Sequence, residues 1–353
     1  MPIAKHGLSD AQALVARQYI LDPTIWRARI RRRPSWFTER LDGLLLNGGN
    51  ESSLQLPAFP SATNIGVFSD YGGLHKDSPV ETYSFFIVDF GALGPYGERM
   101  KEIRRTFSLN AREISFKERR SGAVANALPA VMRAADLVPG LLVTLVVEKT
   151  FGSIMGGGDA PTEMLSQLEQ HGYNSWSTPK AVEDLGRKLH CVSYWLSMLG
   201  REGMGTLWMT DNDNIVANAD AERNLSSVLG GALTLFGAPA FRIIGTAKEF
   251  IKEKEDEQPL LHEALSIADL MAGAVAAYFT ERRGPAFCGK YCESIAEILT
   301  LCSHQGVFLK KLTVVVQRGE DGKEEVGVLT VDGTKCSKDG YLAFEINEAL
   351  GGR

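Results

Sequence analysis

The stretch Leu265-Ser-Ile-Ala-Asp-Leu-Met-Ala-Gly-Ala-Val-Ala-Ala-Tyr-Phe constrains this 353-residue chain more than any other. Its apolar residues fall on every side of a helix, the pattern of a helix buried in a core, and Pro259 fits the first turn of that helix. Asp269 is the one charged residue between Glu263 and Glu281. A lone carboxylate is costly in such a place, so the fold has to bring a partner or an ion to meet it.

Three other acids stand where a fold could carry them there. Asp70 closes Ile65-Gly-Val-Phe-Ser-Asp, Asp211 closes Thr206-Leu-Trp-Met-Thr-Asp, and Glu113 sits in Arg112-Glu-Ile-Ser-Phe-Lys. Residues 64 to 70, 82 to 88 and 112 to 117 read as three strands of an antiparallel meander. A helix bearing Leu128, Val131, Met132 and Ala135 follows, stopped by Pro139-Gly140. Leu141 to Val147 is a nearly continuous apolar run, read as a strand buried on both faces in a parallel sheet. Residues 151 to 178 read as loop-rich. Thr178 and Pro179 start a long helix with Val182, Leu185, Leu189, Val192, Leu196 and Leu199 on one face, ended at Gly200. A strand over 206 to 210, a helix over about 220 to 235 and a short strand at Phe241-Arg-Ile-Ile come next.

The expected class is α/β: a mixed sheet, a three-strand antiparallel meander plus parallel strands, flanked by helices. The meander's first strand then lies centrally and runs parallel to the later strands, which sets Asp70 beside Asp211. A period of two along 112 to 117 puts Glu113, Ser115 and Lys117 on one face.

The domain boundaries follow from these patterns. Residues 1–60 read as a helical arm, 61–285 as the main domain, and 286–353 as an extension with a helix and a hairpin about Asp321-Gly322. The longest uncharged stretch, Asn224 to Phe241, is too broken by Ser, Gly and Pro for a membrane span, so a cytoplasmic protein is expected. Five scattered cysteines fit reduced thiols. Cys288, Cys292, Cys302 and His304 approach a zinc pattern, but their spacing matches no common finger.

Clustered carboxylates raise one another's pKa unless a cation neutralises them, and all-oxygen donors suit Mg²⁺ or Mn²⁺. Asp70, Glu113, Asp211 and Asp269 therefore read as a metal site, with two ions as the arrangement suited to phosphodiester hydrolysis. Singly, each acid has a plainer reading: a strand-end Asp caps a turn, and Glu113 pairs with Lys117. His262 precedes Asp269 by two helical turns and could shuttle protons, although a surface or capping role is its plainer reading. His75, close after Asp70, has the same two readings.

A net charge of -5 and a pI near 5.8 do not mark the whole chain as a nucleic-acid binder. Any phosphate-tracking surface is local. Arg27, Arg29, Arg31, Arg32 and Arg33, flanked by Trp26 and Trp36, could follow a phosphate backbone and stack a base. The alternative for that cluster is a solvated helix face.

In this order, the Asp70-Tyr-Gly-Gly strand end, Glu113-Ile-Ser-Phe-Lys, the Asp211 strand end and Ser266-Ile-Ala-Asp-Leu-Met-Ala-Gly-Ala resemble the domain-of-unknown-function family 3800 of the ribonuclease H-like superfamily. The resemblance spans roughly residues 62 to 285. It implies a metal-dependent nuclease with Asp70, Glu113, Asp211 and Asp269 at the acidic site and DNA or RNA as substrate. Members commonly carry a second acid directly after the first-strand aspartate, where this chain has Tyr71. Asp213, or Glu118 if the strand register slips, could supply that acid. Two other readings stand beside this one: a non-catalytic binding or scaffold protein, and an actin-like ATPase or phosphotransferase suggested by Asp70-Tyr-Gly-Gly.

Replacing Arg29, Arg31, Arg32 and Arg33 together by Ala is expected to weaken nucleic-acid binding and to flatten its salt dependence. Titrations at two salt concentrations check this. Unchanged affinity at both assigns the cluster to a solvated helix face.

Overall fold

Alternation along the central strand sets the two layers of the molecule. β1 (Asn64–Gly72) sends Ile65 and Val67 into one core and Phe68 into the other. Asp70 follows Phe68 by two residues and shares its face. The computed structural model describes residues 35–48, 56–57, 59, 62–211, 214–216, 218–238, 242–247, 260–281, 292–303, 306, 308–319, 322–332 and 343–347.

Among the described residues, eight strands form one mixed sheet. They are β1, β2 (Val80–Asp89), β3 (Gly140–Glu148), β4 (Gly205–Thr210), β5 (Arg242–Ala247), β6 (Leu309–Arg318), β7 (Glu324–Asp332) and β8 (Ala343–Asn347), in the order β5-β4-β1-β2-β3-β6-β7-β8. β1 is antiparallel to β2 and β2 to β3, while β4 runs parallel to both β1 and β5. β3 and β6 are parallel, and β6, β7 and β8 pair antiparallel, so the C-terminal strands continue the same sheet.

The helices are α1 (Trp36–Gly48), α2 (Leu93–Thr106), α3 (Gly122–Ala135), α4 (Ala160–Gln170), α5 (Pro179–Leu199), α6 (Ala219–Leu235), α7 (Leu260–Glu281) and α8 (Cys292–Thr300). α1, α4, α5 and α6 contribute to the core on the Ile65 face, and α2, α3, α7 and α8 to the core on the Phe68 face. α5 starts as its sequence dictates. Thr178 caps it by accepting the Ala181 N–H at 3.2 Å, Pro179 occupies the first turn, and the anticipated apolar stripe is buried.

Several expectations are corrected. Residues 112 to 117 form no strand; the third strand of the meander is β3, with Val143 opposite Phe85. β-branched residues and leucines fill 141 to 147 and suit that central position far better than Arg-Glu-Ile-Ser-Phe-Lys. β3 is accordingly antiparallel on one side and parallel on the other. The stretch 151 to 178 contains α4, and the connection between the strand at 82 to 88 and the 112 to 117 segment contains α2. In the N-terminal segment, α1 buries Phe37, Leu41 and Leu45 in the main core. Trp36 packs against Phe151 with centroids 5.5 Å apart. Arg27, Arg29, Arg31, Arg32 and Arg33, Trp26, Asp213, Cys288 and His304 lie outside the described residues.

α7 is long and apolar enough to cross a membrane by composition, yet most of it is buried inside the protein. Gly72 lets it lie directly on β1 and β2, and Gly273 lets the 113–117 loop lie on it. A side chain at Gly72 would meet the Ala272 carbonyl oxygen at 2.6 Å, and Thr82 donates its hydroxyl to that same carbonyl at 2.8 Å. A Cβ at Gly273 would sit 2.1 Å from the ring of Phe116.

Gly273→Ala is therefore expected to cost about 1 to 3 kcal/mol by overpacking. Gly231→Ala, on the exposed side of α6 with open space around it, is expected to stabilise by roughly 0.5 to 1 kcal/mol. Chemical denaturation of the two variants checks the contrast, and equal effects would refute the close contact at Phe116.

Candidate acidic site

The ends of β1 and β4 meet as strand neighbours. Ser69 pairs with Thr210, and the Asp211 N–H donates to the Ser69 carbonyl at 3.4 Å, which sets Asp70 and Asp211 side by side at the C-terminal ends of two parallel strands. Met209 belongs to the same core as Phe68, so the alternation that directs Asp70 to the α7 face directs Asp211 there too. α7 passes over this point and brings Asp269.

The loop after α2 brings Glu113. Ser108 and Asn110 take positive φ values of 52° and 50°, turning the chain back after the helix. Ile114 and Ser115 are buried, and Phe116 lies on Gly273. The Phe116 backbone N–H donates to Asp269 Oδ2 at 2.6 Å, so the acid predicted to need a partner receives one from the segment that carries Glu113. Arg119 stacks its guanidinium 3.7 Å from the Phe116 ring centroid and donates to the Phe116 carbonyl at 2.7 Å, which fixes the turn.

These elements enclose a cleft of about 260 Å³. Asp70, Glu113, Asp211 and Asp269 all line it, as do Lys117 and His262. Glu113 thus reaches the cleft from a loop instead of a strand. Glu118 does not line it; the residue opens a short turn and gives its N–H to Ser115 Oγ at 3.4 Å. His75 is exposed and lies outside the lining. The sequence reading missed Arg104, which also lines the cleft.

Burial pushes the Asp269 carboxyl up from 3.8 to about 6; the Phe116 N–H opposes the rise, and the charges of Glu113 and Asp211 add to it. Two of the other three acids are therefore close enough to oppose its ionisation. Among the described residues, no three His, Cys, Asp or Glu side chains form a group tight enough to hold an ion as they stand. The carboxylates ring the cleft. Their chemistry suits a hard divalent cation, and the repulsion felt at Asp269 is what such a cation would relieve.

Tyr71 faces the other way. Its hydroxyl lies 2.8 Å from Ser69 Oγ and accepts from Thr210 Oγ1 at 3.1 Å, and its ring lies 3.9 Å from Lys188 Nζ. Trp208 Nε1 donates to Ser69 Oγ at 2.9 Å. This network ties the ends of β1 and β4 together behind Asp70 and Asp211. Strand alternation would send an acid at position 71 to that same opposite face, so Tyr71 takes nothing from the cleft.

A carboxyl whose folded pKa lies above its unfolded value adds stability in its protonated form. For Asp269 that contribution is complete below pH 3.8 and is lost as pH rises through about 6. Asn mimics the protonated form and still accepts the Phe116 N–H. In EDTA at pH 8, Asp269→Asn is expected to exceed wild type by on the order of 1 to 2 kcal/mol, discounted for the partial exposure of the site, with the gap closing near pH 4. Denaturation curves across that range check it; a variant less stable than wild type at pH 8 would make Asp269 a structural ion-pair member instead.

No family model matches the chain, and neither a curated protein nor a solved structure matches it.

Proposed function

We propose that the protein is a divalent-metal-dependent nuclease that hydrolyses phosphodiester bonds of DNA or RNA. One observation carries the reading: carboxylates from four separate segments, at positions 70, 113, 211 and 269, line one cleft at the ends of the central parallel strands. The order β5-β4-β1-β2-β3, with a three-strand meander beside parallel strands and a helix across β1, supports a ribonuclease H-like domain.

Asp70, Asp211, Asp269 and Glu113 would hold Mg²⁺ or Mn²⁺, two ions being the arrangement suited to this chemistry. Bound there, such ions would lower the pKa of a water and stabilise the leaving oxygen. The residues themselves divide the other work. Asp70 and Asp211 are fixed by strand pairing and Asp269 by the Phe116 N–H, which gives the cleft a rigid acidic floor. Lys117 stands at the mouth, where its charge offsets that of Glu113 for an incoming phosphate. His262, on the same cleft-facing stripe of α7 as Ser266 and Asp269, offers an imidazole for proton transfer.

A binding or scaffold role is the second reading, favoured by the open spacing of the acids. The actin-like reading loses its motif. Gly72 lets α7 approach, and Gly73, at φ 72° with the Val80 carbonyl oxygen 2.2 Å from where a Cβ would sit, makes the hairpin. Both glycines thus have reasons that involve no phosphate. A cytoplasmic setting is consistent with Cys191 and Cys302, both free thiols.

Labelled single- and double-stranded DNA, RNA and hybrid, each with Mg²⁺, Mn²⁺ or EDTA, provide the test. Metal-dependent cleavage is expected, reduced roughly 100-fold or more by Asp70→Asn or Asp211→Asn. Metal should also raise the melting temperature of wild type and not of these variants. A thermal response without cleavage of any substrate selects the scaffold reading, and the absence of both sinks the metal site.

A further inference from the structure

Arg104 is nine-tenths buried in α2, yet it lines the acidic cleft. Its guanidinium is held on two sides. Nε donates to the carboxylate of Glu263 on α7, and Nη1 donates to the carbonyls of Asn110 and Arg112 at 2.9 and 2.8 Å. Glu263 is itself almost fully buried, so the guanidinium is fixed by a charged partner and by the loop that carries Glu113. Nη2 has no hydrogen bond among the described residues, and Arg104 is one of the residues that line the cleft. An oriented guanidinium with one remaining edge presented to a cleft is a binding group for an oxyanion.

Two more side chains that can donate to an anion line the same cleft. Lys117 is exposed at the mouth, and His262 lies one residue before Glu263 on α7. The lining thus combines four carboxylates, supplied by strand ends, loop and helix, with cationic or N–H donor groups at Arg104, Lys117 and His262. A polyanion cannot enter an acidic cleft unless part of the wall attracts it.

We propose that Arg104, supported by Lys117 and His262, forms a phosphate subsite beside the carboxylates, taking the non-bridging oxygens of a phosphate in the substrate strand next to the one that is cut. The identity of the ligand as a nucleic-acid strand rests on the nuclease reading. The anion site itself rests on the geometry of Arg104 and needs no metal.

The test is made in EDTA, where cleavage cannot intrude. Anisotropy of a labelled single-stranded oligonucleotide is measured with wild type, Arg104→Lys, Lys117→Ala and Asp211→Asn, and melting temperatures are measured with and without inorganic phosphate. Arg104→Lys is expected to weaken oligonucleotide binding about tenfold, since Lys keeps the charge and loses the oriented fork. Lys117→Ala, an exposed substitution that spares the fold, should weaken it about threefold and lower the salt slope by about one. Asp211→Asn should bind as well as wild type or better. Affinity unchanged in both Arg104→Lys and Lys117→Ala, with no effect of inorganic phosphate on the wild-type melting temperature, overturns the subsite, as does absence of oligonucleotide binding by wild type. Inorganic phosphate that raises the wild-type melting temperature through Arg104, with oligonucleotide affinity unchanged in the variants, overturns the strand assignment. If the variants lose binding but no metal supports cleavage, hydrolysis falls and the subsite stands; if wild type cuts and the variants bind normally, the reverse holds.

Discussion

The close approach of α7 to β1 and β2 is the constraint on which the rest depends. Ordinary side chains at 72 and 273 would hold the helix away from the strand and the loop away from the helix. With glycine at both, Thr82 reaches the Ala272 carbonyl, Phe116 packs on the helix backbone, and Asp269 comes within 2.6 Å of the Phe116 N–H. The cleft is the space left where strand ends, loop and helix meet.

Behind the acids, the sheet is braced by polar groups of the opposite character. Tyr71, Ser69, Thr210 and Trp208 join β1 to β4, and Lys188, paired with Asp184 at 2.6 Å, lies on the Tyr71 ring. Arg187 holds Glu81 and Glu183 at 2.7 and 2.8 Å. Buried pairs of this kind contribute little net stability against an apolar core, but breaking one is costly, so they fix geometry more than they add free energy. That geometry is the spacing of the β1 and β4 ends, and hence of Asp70 and Asp211.

Much of this was legible in the chain itself, for stated physical reasons. A lone acid in an apolar helix announces a partner, and parallel strands of regular length announce which of their ends meet, so the sequence places Asp269, Asp70 and Asp211 together. Glu113 was placed for a reason that does not hold. The period of two in 112 to 117 comes from a loop whose Ile114 and Ser115 are buried, and periodicity over six residues does not separate a strand from an extended loop. Arg104 escaped because α2 carries charges on most sides, and only the positive φ angles at Ser108 and Asn110 bring its neighbours round to the cleft. A readable signal existed in Gly72 and Gly273: a glycine beside a strand-end acid and one a helical turn beyond a buried acid both mark backbone approach.

The spread of the carboxylates and the raised pKa of Asp269 are one effect seen twice. Two unit charges 4 Å apart repel by about 4 kcal/mol at an effective dielectric of 20, so acids that share a cleft oppose one another's ionisation, and at Asp269 burial adds to that repulsion. Asp269 is partly sheltered from water by α7 and the 113–117 loop, and it is the member that burial, Glu113 and Asp211 push upward. Its surroundings offset that cost with a backbone N–H and a nearby arginine, neither of which neutralises the cluster. A fold that carries this cost at one point, and secures the strands behind that point with paired charges, is what the proposed role of the cleft rests on.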